Sequence, residues 1–398
     1  MDKKTIVVVG TGYVGLPAAL MWAKSGMQVI GVDINENIVK AINERTILLN
    51  EEELNSLLAD TDVQNNLTAS ATPCEGDVFV IAVPTPINKL KKVADLSCVE
   101  SAILSICPFL KRGNLVIIES TVPPMTCRQM IKELIERNTP LKVPEDIFLS
   151  HCPERILPGD IFFEIVHNDR LIGGIDKKST DLAIEIYRTF VKGELLPTDD
   201  LTAEMAKLLE NTYRDINIAF ANEFKAICDD LDLEVENVIK LANRHPRVNV
   251  LRPGIGVGGH CIPVDPWFLK EIAPYNSRLI TVARMINDEM PERIAAKIRK
   301  KVSRLVNPKI LLLGATYKRN CEDIRESPAI HIAKILCEEG YNIEHYDPLV
   351  PGMGSTALDK TILNSDFVAV LVSHDLIKQE VERIQSICQG LPEIVFFD

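Results

Sequence analysis

The sequence predicts an α/β fold, with two doubly wound parallel-sheet domains joined by a long-helix domain. Three observations predict it. Short aliphatic runs alternate with helical stretches from residue 5 to about residue 150. The same alternation returns after Pro308. Between them, from Leu201 to about Asp230, apolar residues fall at helical spacing. Strands that alternate with helices pair in parallel.

Each element has its own cue. TIVVVG (5–10) reads as a buried strand, and Leu16 to Lys24 as a helix stopped by Gly26. QVIGVD, ending at Asp33, is the next strand. VFVIAV (78–83), LVIIEST (115–121) and DIFLSH (146–151) are further buried strands. Met205, Leu208, Leu209, Thr212, Ile216, Phe220 and Ile227 form one helical stripe, with Asp199 or Asp200 placed to cap it. KILLLG (309–314), FVAVLVSH (367–374) and EIVFFD (393–398) are the later strands. Ser327-Pro328 starts a helix that Gly340 ends. The expected domains are 1–198, 199–300 and 301–398.

Composition bounds the function. The chain has 398 residues, 46% of them hydrophobic, and a net charge of −12. It carries no basic stripe with interleaved aromatics, which argues against nucleic acid as a partner. No apolar run is long enough for a membrane span. The ten cysteines show no C-x-x-C pair and no Cys/His metal spacing. Free thiols, no metal and a cytoplasmic location are expected.

The loop GTGYVG, holding Gly10, Gly12, Tyr13, Val14 and Gly15, lies between a strand and a helix. An acid, Asp33, stands 18 residues beyond Gly15 at the end of the next strand. Together these make a Rossmann-like dinucleotide fingerprint. The glycines admit the pyrophosphate at the positive end of the helix. Asp33 would bond the adenosine ribose and repel a 2′-phosphate, so the expected cofactor is NAD. Thr85 in VPTP and Thr121 in ESTVPP follow parallel strands, where open α/β sheets bind ligands. Further along, GIGVGGHCIPVDPWFL (254–269) presents Cys261 on a glycine-rich loop. Such a thiol reads as a nucleophile or as a structural thiol in a tight turn.

GTGYVG, VPTP, ESTVPP, HCPER, AEMAKLLENTYRD, HPRVN, GVGGHCIPVDPWFL and KRNCEDIRESP occur in this order along nearly the whole chain. The series resembles the UDP-glucose/GDP-mannose dehydrogenase family, most of all its UDP-N-acetylmannosamine 6-dehydrogenases. The resemblance implies a UDP-sugar substrate whose primary alcohol is oxidised twice, one NAD taking each hydride. Cys261 would attack the intermediate aldehyde, and the resulting thioester would be hydrolysed. Glu154 would activate water, Lys207 and Asn211 would stabilise developing oxygen charge, and Asp265 would order water or accept a proton. Arg214, three residues beyond Asn211, is expected on the same helix face as Lys207 and Asn211. Further substrate contacts are implied for Arg155, His245, Arg247, Arg252, Gly254, Gly258 and Lys318. A cofactor contact is implied for Arg325. Arg247 would be supplied across a homodimer interface.

The chain departs from the family pattern in two places. RTILLNEEEL (45–54) replaces a segment that is often proline-rich, so cofactor contacts there should differ. Many relatives continue beyond FFD with polar residues, so the C-terminal edge of the nucleotide pocket is expected to be built differently. Two competing classes remain: a two-electron hydroxy-acid dehydrogenase, which needs no cysteine, and a non-catalytic NAD-binding subunit. UDP-glucose, UDP-N-acetylglucosamine and UDP-N-acetylgalactosamine are alternative substrates for the same chemistry.

Overall fold

Strands buried on both faces dominate the computed structural model, which describes residues 4–46, 56–88, 90–156, 161–354, 358–388 and 390–398. Most of the divergent segment 45–54 lies outside these residues. The chain divides into two compact units, Met1–Leu209 with Trp267–Ile272, and Glu210–Pro266 with Ala273–Asp398.

The first unit contains one eight-stranded sheet. Its strands are β1 (Thr5–Val9), β2 (Gln28–Val32), β3 (Leu67–Ser70), β4 (Val78–Ile81), β7 (Leu115–Ile118), β8 (Phe148–His151), β9 (Arg170–Gly174) and β10 (Leu195–Asp199). The numbers between them, β5 (Ile87–Asn88) and β6 (Val93–Ala94), belong to a small antiparallel hairpin. The order is β10-β9-β8-β7-β4-β1-β2-β3. From β3 to β8 all pairing is parallel, and β9 then runs antiparallel to β8. The chain winds outward from β1 through β2 to β3, then returns to β4 on the other side of β1. This reversal is the switch point at which open sheets bind ligands.

Side-chain alternation separates two cores. Ile6 and Val8 pack with Leu20 and Trp22 on one face, while Val7 and Val9 pack with Phe79 and Ile103 on the other. Trp22 is fully buried, with its ring centroid 5.6 Å from both Tyr187 and Phe190. Most expected strands overrun the observed ones at their C-terminal ends, by one residue for TIVVVG up to four for FVAVLVSH, whereas DIFLSH overruns β8 only at its N-terminal end. At the C-terminal ends the backbone leaves the sheet to form ligand loops.

The second unit holds the four-stranded parallel sheet β12-β11-β13-β14, built from Asn342–Tyr346, Lys309–Leu313, Phe367–Val370 and Glu393–Phe396. Ser327 caps the helix Pro328–Glu338 as expected, its hydroxyl accepting from Ala329 N–H at 3.2 Å.

The long helix runs Asp200–Asp230, but its expected stripe divides. Leu208 and Thr212 are buried, whereas Met205, Leu209, Phe220 and Ile227 are exposed. The buried side instead carries Glu204, Lys207, Asn211, Asp215 and Asn222. In the second unit, Arg284 of the helix Arg278–Val302 bonds Asp215 at 2.5 Å. Asn287 donates to Asp215 at 2.8 Å and accepts from Asn222 at 3.0 Å. Asn222 in turn accepts from Gly254 N–H at 2.8 Å, which ties the helix to the cysteine-bearing loop. Among the described residues, no helix is long and apolar enough to cross a membrane.

Candidate active site

The dinucleotide loop leaves β1 at Gly10, whose φ of +91° suits glycine. A Cβ at Gly15 would fall 1.9 Å from the Gly10 carbonyl oxygen, so only glycine closes this turn. The helix Gly15–Lys24 has no side-chain cap and no acid in its first turn. No capping side chain or first-turn acid there competes with an anion at the helix start. Tyr13 and Val14 are half-buried beside them. Asp33 stands at the end of β2 and also braces the loop. Its Oδ2 accepts from Thr11 N–H at 3.0 Å and from Thr11 Oγ1 at 3.1 Å, and its Oδ1 accepts from Asn35 N–H at 2.9 Å. Thr85 and Thr121 come together at the switch point, where Thr85 Oγ1 donates to the Thr121 carbonyl at 2.7 Å.

Glu154 follows β8 in the same unit and is buried. Its Oε2 pairs with the Arg170 guanidinium, and its Oε1 accepts from Arg155 N–H at 2.8 Å. The Arg155 guanidinium reaches the Asp169 carbonyl at 3.1 Å. Lys207 is also buried, and its ammonium donates to the Glu154 carbonyl at 2.6 Å. His151 lies near this ammonium. Burial, and then the Lys207 charge, push its pKa down to about 3, so the imidazole is neutral.

In the second unit, Cys261 sits half-exposed on a turn that leads into the helix Asp265–Ile272. Its carbonyl accepts from Val264 N–H at 3.0 Å and Asp265 N–H at 2.9 Å. Asp265 is buried and accepts from Asn211 Nδ2 at 2.6 Å. The turn therefore brings the thiol, the carboxylate and the amide into one neighbourhood. A Cβ at Gly258 would lie 2.6 Å from both the Glu326 carbonyl oxygen and Tyr317 Cβ. That close approach, with the Gly259 N–H bond to the Arg325 carbonyl at 3.0 Å, presses the cysteine loop onto the segment 317–328.

Other expected contacts are dispersed. Arg214 is exposed while Lys207 and Asn211 are buried, so the three do not share an environment. The buried face advances by four residues from Asn211 to Asp215 and passes Arg214 by. His245, Arg247 and Arg252 are exposed, with Arg247 N–H donating to His245 Nδ1 at 3.3 Å. Arg325 donates to Asp323 at 2.6–3.0 Å. Lys318 is half-buried, and its carbonyl accepts from Thr316 Oγ1 at 2.8 Å.

Models of the UDP-glucose/GDP-mannose dehydrogenase family match three segments of the chain. The NAD binding domain covers residues 4–191, the central domain 201–289 and the UDP binding domain 311–398. The chain belongs to the UDP-glucose/GDP-mannose dehydrogenase family. It is 45% identical over 405 residues to a UDP-N-acetyl-D-mannosamine dehydrogenase of Methanococcus maripaludis, a match covering 100% of this chain and 92% of the relative. An NDP-N-acetyl-D-galactosaminuronic acid dehydrogenase of Ralstonia nicotianae is 42% identical, over 97% of this chain and 95% of that one. The solved UDP-D-ManNAc dehydrogenase of Pyrococcus horikoshii superposes with a TM-score of 0.92 at 37% identity, over 99% and 98% of the two chains.

NAD is the cofactor of this dehydrogenase, and it serves as the hydride acceptor. The glycine cradle, the uncapped helix start and Asp33 fit it. Sequence reasoning missed several buried polar supports of these loops in the enzyme. Glu119, just after β7, is buried and bonds Arg170 at 3.2 Å and the Tyr187 hydroxyl at 2.6 Å. Glu204, on the second turn of the long helix, accepts from Met125 N–H at 2.7 Å and Cys127 N–H at 2.9 Å. In the UDP binding domain, Asn320 N–H donates to His374 Nδ1 at 2.8 Å. The His374 proton therefore sits on Nε2, which donates to Asp347 at 3.0 Å. This pair anchors the loop that carries Lys318. These acids and bases are far apart in sequence, and no local motif announces them.

Proposed function

We propose that this dehydrogenase converts the sugar 6-hydroxymethyl of UDP-N-acetylmannosamine to the carboxylate in two oxidations. The observation that carries this reading is the Cys261 turn, with the Asn211–Asp265 pair at 2.6 Å beside it. The names of relatives 43–45% identical over at least 96% of the chain support the choice of sugar. The first oxidation yields an aldehyde. The Cys261 thiolate adds to its carbonyl carbon, and the oxygen is protonated to give a thiohemiacetal. Loss of the second hydride to NAD, together with release of the hydroxyl proton, leaves a thioester on Cys261. Glu154 takes one proton from water as the C–O bond forms, and the C–S bond then breaks with the other water proton passing to the departing sulfur, which frees the Cys261 thiol and the uronate. Lys207 and Asn211 stabilise the charged oxygen at each addition. Asp265 orders the amide of Asn211 and accepts a proton.

The division into 1–198, 199–300 and 301–398 suits this chemistry, with the Cys261 loop in the middle segment. Arg155, Arg214, His245, Arg247, Arg252, Gly254, Gly258 and Lys318 would line the UDP-sugar. Arg247 would enter from the partner of a homodimer. A thiol mechanism suits a reducing, cytoplasmic setting, and the uronate product suits surface-polysaccharide synthesis. The Ralstonia relative makes the N-acetylgalactosamine configuration the second reading.

Turnover on a panel of UDP-sugars, with NADH counted per sugar, tests the proposal. The expected result is two NADH per UDP-N-acetylmannosamine and no uronate from Cys261→Ala. Loss of the nucleophile should cost several powers of ten in rate. Near-native turnover by that variant would exclude the covalent route.

A further inference from the structure

Arg170 opens β9, the strand that breaks the parallel order of the first sheet. Its register runs Ser150↔Gly174 and His151↔Gly173 against β8. Continuing that antiparallel register three residues brings Glu154 level with Arg170. The reversal therefore delivers a cation to the sheet edge where the other strands end. Glu119 leaves the neighbouring β7 at the same edge, one residue after the Ile118↔His151 pair. The Arg170 guanidinium lies between the two carboxylates, and the Tyr187 ring stacks against it at 4.4 Å. The side chains of Glu119, Arg170 and Glu154 are 0%, 4% and 7% exposed.

Buried ion pairs seldom stabilise a fold better than apolar packing would. Here one guanidinium serves two buried acids, and the Lys207 ammonium on the Glu154 carbonyl is the next cation. Burial is the main reason Glu119 is pushed up to about 7. Such a cluster makes sense where geometry matters more than stability. Glu154 is held at three points: Oε2 by Arg170, Oε1 by the next N–H, and its carbonyl by Lys207. A carboxylate has about four acceptor sites, so it still has capacity to take a proton from water.

We propose that Arg170, itself held by Glu119 and Tyr187, is the positioning residue that aims Glu154 for thioester hydrolysis. The inference rests on Glu154 acting as the base of that step. The oxidations precede hydrolysis, so loss of positioning should leave them intact and stall the enzyme as the acyl thioester.

The test compares native enzyme, Glu154→Gln, Arg170→Lys and Tyr187→Phe in rapid-mixing assays with NAD and UDP-N-acetylmannosamine. Arg170→Lys should give a burst approaching two NADH per site. Steady turnover should then be slower by about a hundredfold, with KM for the sugar little changed. Intact mass spectrometry of the quenched variant should find the uronyl group on Cys261. Tyr187→Phe, which removes one hydroxyl, should show the same burst with a smaller loss of turnover, and it decides the matter if Arg170→Lys does not fold. Reduced activity without burst or thioester would overturn the inference, as would a lowered melting temperature with normal turnover. If Glu154→Gln accumulates thioester and neither other variant does, only the positioning role falls. If Glu154→Gln accumulates none, the assignment of the base falls and the inference falls with it.

Discussion

At the residue scale, Asp33 stands where the fingerprint expects a ribose contact and also braces the dinucleotide loop. Its place at the end of β2 is legible from spacing alone. Its bonds to Thr11 and Asn35 are not, because side-chain bonds within a loop leave no periodic trace. Asp33→Ala should therefore lose the ribose anchor and slacken the cradle together. Hydrogen bonds to charged groups are worth about 1.5–3 kcal/mol, so KM for NAD should rise roughly tenfold to a hundredfold. The variant should not become an efficient NADP enzyme, since its pyrophosphate loop is loosened. Steady-state kinetics with both cofactors checks this, and a native preference for NADP would refute the role of the carboxylate.

At the element scale, the long helix hides polar residues and shows apolar ones. Its existence and length were legible because heptad-like spacing reveals a helix whichever face is buried. Its orientation was not, because the usual rule buries the apolar side. Glu204 belongs to the hidden side, where burial raises its pKa from the ordinary 4.5 to about 7. Between these values the folded chain keeps a proton that the unfolded chain has released. Stability should therefore fall as pH rises from about 4.5 to about 7 and level off above, with a contribution of up to about 3 kcal/mol. Glu119 adds to the slope in the same direction. Urea unfolding at pH 5 and pH 7 checks the Glu204 share, and Glu204→Gln should show a distinctly shallower pH dependence. An unchanged slope would mean that Glu204 is ionised throughout.

At the scale of the whole molecule, the sequence carried the order of motifs, both parallel sheets and the cysteine loop. It did not carry the antiparallel β9, whose RLIGG lacks the aliphatic run of a central strand, or the polar edge strand Asn342–Tyr346. In the second unit Tyr213, Phe220 and Ile227 on the long helix are 49–55% exposed. Leu279, Val282 and Met285 on the helix Arg278–Val302 are 53–66% exposed. Apolar surface of this extent favours association. Sedimentation equilibrium should find a dimer or a multiple of it, and Phe220→Glu with Val282→Glu should shift it toward monomer and reduce activity. A fully active monomer would rule out a shared Arg247. The burial of Trp22 beside Tyr187 and Phe190 has an optical counterpart. The chain has only two tryptophans, and the second, Trp267, belongs to the same unit as Trp22. Tryptophan emission therefore reports that unit alone, while far-ultraviolet dichroism reports the helices of both. Denaturation midpoints that differ between the two signals would mark units that melt separately. Any change in emission on adding NAD alone, in the absence of UDP-sugar, reads cofactor binding within the spectroscopically bright unit, which holds the NAD binding domain.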